Sequence, residues 1–188
     1  AGFPGEIEDE IDNSEGVTVS LAQSFKTIFT HPLIWFYAVA YACTGAVRHS
    51  SDQLSILYFE EQLSLNLENP TRAIFITMTL VPIVAFAGSL SSGIISDKFF
   101  RGHRAPVAMV LYFFEALVIG ISAVILLMGL VGPSDMGIFI GCLILIMISL
   151  TVNSTHSIVG AAAPMDIGGK KMAGFAAGVI DSFQYYGA

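Results

Sequence analysis

The stretch LIWFYAVAYACTGAV, residues 33–47, is an apolar run of fifteen residues that breaks at RHSSDQ, residues 48–53, and resumes as LSILYF, residues 54–59. Wound as a helix, fifteen residues rise roughly 22 Å, short of the roughly 30 Å of a bilayer's hydrocarbon core. A crossing helix must therefore run from Leu33 to about Phe59 and carry Arg48, His49 and Asp52 with it. An arginine at membrane depth costs on the order of several kcal/mol unless it is paired or faces water. At helical spacing Tyr37, Tyr41, Thr44, Arg48, Asp52 and Ser55 fall on one polar and aromatic stripe, the kind that lines a cavity or a helix interface. A salt bridge from Arg48 to Asp52, one turn on, is the plainer reading of the same two charges. Even then, the forked donors of a guanidinium match two phosphate oxygens at once.

Four more apolar segments follow, Ala73 to Ile95, Ala105 to Val131, Met136 to Ala163, and Met172 to the last residue. The first three are long enough to span; the last has seventeen residues before Ala188, with neither a polar anchor nor a return helix. These features predict an all-α membrane protein with five transmembrane helices, the last incomplete, in a chain that is a fragment. Hydrophobic residues make up 54% and charged residues 12% of the sequence, and the mean hydropathy is +0.73, a balance that matches lipid rather than water as solvent. The net charge of -7 describes a tail, because Glu6, Glu8, Asp9, Glu10, Asp12 and Glu15 crowd a start that holds no Lys or Arg. Nucleic acid is excluded as a partner on that ground. Cys43 and Cys142 lie inside apolar runs with no metal-ligand spacing and read as packing residues; no metal or cofactor is expected.

Residues 1–17 read as an acidic flexible linker. Residues 18–31 read as an amphipathic surface helix, capped by Ser20, with Leu21, Phe25, Ile28 and Phe29 on its apolar face. The transmembrane part then occupies 32–188. Lys98, Arg101 and Arg104 between the second and third spans, Lys170 and Lys171 between the fourth and fifth, and Lys26 before the first fall on alternate sides from Glu60, Glu61, Glu68 and Asp135. By the positive-inside rule the basic loops and the N-terminal segment are cytoplasmic. Two polar residues lie deep in later spans. Glu115 reads as bonded at a helix interface or as a proton-coupling carboxylate, and His156 as a hydrogen-bonded interface residue.

The segment Gly93-Ile-Ile-Ser-Asp97-Lys98-Phe-Phe-Arg101-Gly102-His-Arg104 resembles the signature loop of the major facilitator superfamily, in the longer form found in its organophosphate:phosphate antiporters. LIWFY at 33–37 with Arg48 thirteen residues after Trp35 resembles the seventh helix of those antiporters, and Tyr58 matches a tyrosine at its outer end. Ala163-Pro164, then Lys170-Lys171-Met-Ala-Gly174 and on to Gly178, resembles the entry to their eleventh helix, where Tyr185 matches a tyrosine near the substrate. The chain departs from the pattern at Gln53, where the family has an acid, at Gly45, where it has a tyrosine, and at Ser149, Thr151, Asn153 and His156, where it has Tyr-Gly-Pro.

The resemblance implies the C-terminal half of a carrier at the plasma (inner) membrane, partnered by an N-terminal half. That carrier would exchange a sugar phosphate or glycerol phosphate for inorganic phosphate by alternating access, without enzymatic chemistry. It implies that Arg48 is one of two arginines that clamp the phosphate, and that Gly93, Asp97, Lys98, Arg101, Gly102 and Arg104 form a gating loop. Tyr41, Asp52, Asp181 and Tyr185 complete the expected substrate site. Two other readings share these residues: a sugar-phosphate receptor that signals without transporting, and a proton-coupled carrier of another solute using Asp52 or Glu115.

Overall fold

The computed structural model of the chain describes residues 26, 29–65, 71–100 and 104–187, with 161–173 described by the backbone alone. The expected linker, most of the expected surface helix, and Arg101 and Gly102 lie outside the described residues; Lys26, Phe29 and Thr30 are helical. Five helices follow: α1 (Pro32–Leu57), α2 (Arg72–Phe99), α3 (Arg104–Leu127), α4 (Asp135–His156) and α5 (Ala163–Gly187). A π-helical turn over Tyr58–Gln62 extends α1, and another over Ser157–Ala162 joins α4 to α5. No strand occurs among the described residues. Residues Arg72–Phe99, Arg104–Leu127 and Asp135–Gly160 are long and apolar enough to cross a membrane. Helices α1 and α5, of 26 and 25 residues, are long enough at about 1.5 Å per residue, but their polar residues keep them below that hydropathy.

The helix ends follow local chemistry. Pro32 opens α1, where its missing N–H would have had no partner in any case. Ser134 caps α4 by accepting from the Gly137 N–H at 3.1 Å, with Asp135 in the positive first turn. Gly129, at φ 67°, takes the left-handed turn after α3. Three boundaries differ from expectation. Helix α3 ends at Leu127 rather than Val131. Helix α2 does not end at Ile95 but runs to Phe99, and α5 begins at Ala163 rather than Met172. The interval from Pro164 to Lys171, expected as the basic connection between the fourth and fifth spans, is helix.

The chain divides into two compact units, Ala1–Gly45 with Val159–Ala188, and Ala46–Ile158. In the first unit the start of α1 buries Ile34, Ala38, Tyr41 and Gly45 at helical spacing, and α5 buries Ala176, Ile180 and Gln184 every fourth residue. Gly45 meets the backbone of Gln184, and Gly187 that of Ala42. Small residues allow this close approach. Trp35 sets its ring edge-on to Phe183 at 5.7 Å.

In the second unit α4 packs against α2 and α3. A Cβ at Gly88 of α2 would lie 2.6 Å from the Leu150 carbonyl oxygen of α4. Three serines bond across this seam to backbone carbonyls: Ser89 to Asn153 at 3.2 Å, Ser149 to Val81 at 3.3 Å, and Ser157 to Ser89 at 3.4 Å. A cluster of Phe59, Leu63, Leu65, Ile74 and Cys142 closes one end of the unit. Cys142 is thus a packing residue as expected, whereas Cys43 is exposed.

Helix α3 shows what solvent the unit expects. It buries Ala108, Glu115 and Ser122, seven residues apart, while Met109, Phe113, Phe114 and Ile121 are exposed. Small and polar side chains inside, with large apolar ones outside, reverse the order of a water-soluble protein and fit a lipid surround.

Candidate functional site

Helix α1 continues unbroken past Val47, so Arg48 sits within the helix as the short apolar run demands. Arg48 is half-buried, and its guanidinium reaches α4, where Nη1 lies 3.1 Å from Nε2 and 3.4 Å from Nδ1 of His156. The guanidinium nitrogen is thus close to both ring nitrogens at once rather than aligned with the lone pair of either. His156 was expected at a helix interface; its meeting with Arg48, 108 residues away in sequence, carries no signal in a single sequence.

The residue before His156 makes a second polar link. Thr155 Oγ1, fully buried, donates to Glu115 Oε2 at 2.6 Å, and Glu115 is only 4% exposed. Glu115 is therefore bonded at the α3–α4 interface, the first of its two expected readings.

One turn beyond Arg48, a cavity of about 120 Å³ opens among α1, α2 and α4, with Ser51, Asp52, Ser55, Thr77 and Ser149 in its wall beside Phe59 and Leu145. Ser51 Oγ donates to the Arg48 carbonyl and Ser55 Oγ to that of Asp52, both at 3.0 Å, as Ser149 does to Val81. With those protons committed, the hydroxyl lone pairs and the Asp52 carboxylate suit a ligand rich in donors. Thr77 went unremarked in the sequence, where a lone threonine in an apolar run has no distinguishing spacing.

The other expected residues divide between the two units. Tyr41, Asp181 and Tyr185 belong to the first. Tyr41 is fully buried, its hydroxyl against Gly160, whereas Asp181 and Tyr185 are exposed. Gly93, Asp97 and Lys98 lie on the last turns of α2 rather than in a loop, and Arg104 is the first residue of α3. Lys98 Nζ stands 6.0 Å from the centre of the Phe99 ring. Among the described residues no three His, Cys, Asp or Glu side chains gather as a metal site would require.

Residues 4–188 match the sequence model of the Major Facilitator Superfamily. The chain belongs to that superfamily. Its members are multi-pass membrane transporters, and the inside-out helices described above are half of such a bundle. The membrane sensor protein UhpC of Escherichia coli (strain K12) is 29% identical over 85 residues, 45% of this chain and 18% of that protein. The membrane sensor protein UhpC of Salmonella typhimurium (strain LT2) is 28% identical over the same shares. The match thus spans under a fifth of the length of these curated relatives. No solved structure matches.

Proposed function

We propose that this chain is the C-terminal half of a carrier that exchanges a phosphorylated small molecule for inorganic phosphate by alternating access, with Arg48 as the phosphate ligand of this half. The observation that carries the reading is a half-buried arginine within α1, one turn from a hydroxyl- and carboxylate-walled cavity. The guanidinium suits the phosphate, and the cavity suits the hydroxylated part of an ester. Two halves rocking about such a site open it to each side in turn. Ester and free phosphate compete for one guanidinium, and release of either anion returns its charge to a low-dielectric site. That cost disfavours reorientation of the empty carrier and makes exchange obligatory.

The carrier sits in the plasma membrane with its N-terminal segment, Lys98 to Arg104, and Lys170 to Lys171 in the cytoplasm. In a carrier lacking Cys43 and Cys142, Gly102→Cys should label from the inside only; labelling by an impermeant reagent added outside intact cells would reverse the orientation.

Asp97, exposed near the end of α2, acts as the latch between states. Proteoliposomes loaded with phosphate test both claims at once. External sugar phosphate or glycerol phosphate should release internal labelled phosphate. Asp97→Asn should slow that release severalfold while phosphate affinity stays within a few-fold, because the latch acts on the rocking equilibrium. Binding lost in parallel with flux would place Asp97 in the site instead. The similarity to two membrane sensors favours a second reading, a receptor that binds the ester without moving it. Binding with no flux in either direction would establish that reading.

A further inference from the structure

We propose that the groove between the N-terminal ends of α2 and α4 binds a phospholipid with a primary-amine headgroup, its phosphate on Arg72, its ammonium on Asp135 and an acyl chain between the two helices. The groove is a cavity of about 580 Å³, with Thr71, Arg72 and Asp135 at its head and Ile76, Leu80, Phe139, Leu143 and Ile146 farther down its wall. Arg72 opens α2 and Asp135 opens α4, so both charges stand at one end of the slot. From Arg72 to Leu80 and from Asp135 to Ile146 the walls run on the order of 12 to 17 Å at about 1.5 Å per residue, close to one leaflet of a roughly 30 Å hydrocarbon core. Ile76, Leu80, Phe139 and Leu143 are exposed, which leaves the slot open along its side to lipid.

The headgroup follows from the charges. Arg72 and Asp135 are exposed and line one cavity, yet among the described residues neither side chain makes an ion pair or a hydrogen bond, with the other or elsewhere. Two unlike charges held apart at the mouth of an apolar slot match the phosphate and the ammonium of a single zwitterionic headgroup. The forked donors of Arg72 suit phosphate oxygens, and the Asp135 carboxylate, an acceptor only, suits the N–H donors of a primary ammonium. Thr71, at the N-cap of α2, makes no side-chain capping bond, which leaves its hydroxyl for the phosphate. A choline headgroup brings the same positive charge without an N–H, and a glycerol headgroup brings no cation at all. The other large groove, about 530 Å³ between α1, α3 and α4, has no charged residue among its described lining residues and so offers nothing that would choose a headgroup.

The test is native mass spectrometry of the whole purified carrier, stripped of lipid and titrated with phosphatidylethanolamine, phosphatidylcholine and phosphatidylglycerol of identical chains. One phosphatidylethanolamine per carrier should bind severalfold tighter than either of the others. Arg72→Gln should weaken that first binding about two- to fivefold, the effect of an exposed charge pair, and Asp135→Asn should bring phosphatidylethanolamine down to the level of phosphatidylcholine. Leu143→Trp, which fills the slot from an exposed position, should fold as the wild type does and lose the first lipid. Equal affinity for the three lipids in the wild type, a preference that survives both charge variants, or a first lipid that survives Leu143→Trp would overturn the proposal. So would a Leu143→Trp carrier that fails to fold, because protein rather than lipid would then fill the groove. None of these measurements involves phosphate exchange, so the role proposed for Arg48 stands or falls separately. Nor do they depend on the orientation of the carrier, which decides only that the lipid belongs to the outer leaflet.

Discussion

Arg48→Lys in the intact, correctly inserted carrier should weaken phosphate binding by roughly 10- to 100-fold, the equivalent of one lost charge-assisted hydrogen bond of about 1.5 to 3 kcal/mol. Lysine keeps the positive charge, so a loss of this size reports the forked geometry rather than the field. The competing account makes Arg48 a mere counter-charge for Asp52 one turn away. On that account lysine would serve nearly as well, and the neutral pair Arg48→Gln with Asp52→Asn would restore both binding and exchange. Equilibrium binding of labelled phosphate and exchange flux in the two variants decide the matter. Near-normal affinity in the neutral pair would remove Arg48 from the site.

The second large effect concerns the α2–α4 seam. Gly88→Val should strip the carrier of much of its stability, by about 2 to 5 kcal/mol, a sum of overpacking and weakened interhelical bonds. Even a Cβ at this position would lie 2.6 Å from the Leu150 carbonyl oxygen and 2.9 Å from Ser154 Oγ. The helices must then part, and the bonds of Ser89, Ser149 and Ser157 stretch with them. Gly93→Ala on the same helix is the matched control, since nothing lies within 4 Å of its added Cβ. The yield of folded carrier and its half-life in detergent should separate the two variants sharply. Equal survival would mean that the seam yields where its geometry says it should not.

The division of the fold into apolar spans was legible in the sequence because membrane helices are written as long hydropathic runs, and α2, α3 and α4 lie where those runs lie. The error at Ala163 has a physical origin. Polar and charged residues end a hydropathic run without ending the helix, so the run from Met172 marks only the apolar part of α5. The same bias placed Asp97 and Lys98 in a loop when they ride on the last turns of α2. At the site, the place of Arg48 inside a continuous helix could be read from the length of one apolar run. Its contact with His156 could not, because nothing local to either residue records which face of α4 turns toward α1. Nor could the sequence show that Tyr41 is buried against Gly160, since an aromatic on a polar stripe looks the same whether it lines a cavity or a contact.

The three serine bonds that tie α2 to α4 all end on main-chain oxygens. A carbonyl is present whatever side chain its residue bears, so the acceptor positions Val81 and Asn153 are free to drift in identity, and only the donors Ser89, Ser149 and Ser157 are held. The seam shares only Ser149 among its donors with the cavity wall. Wall residues such as Asp52 and Ser55 can be exchanged, and a new ligand accommodated, without renegotiating how these two helices hold together.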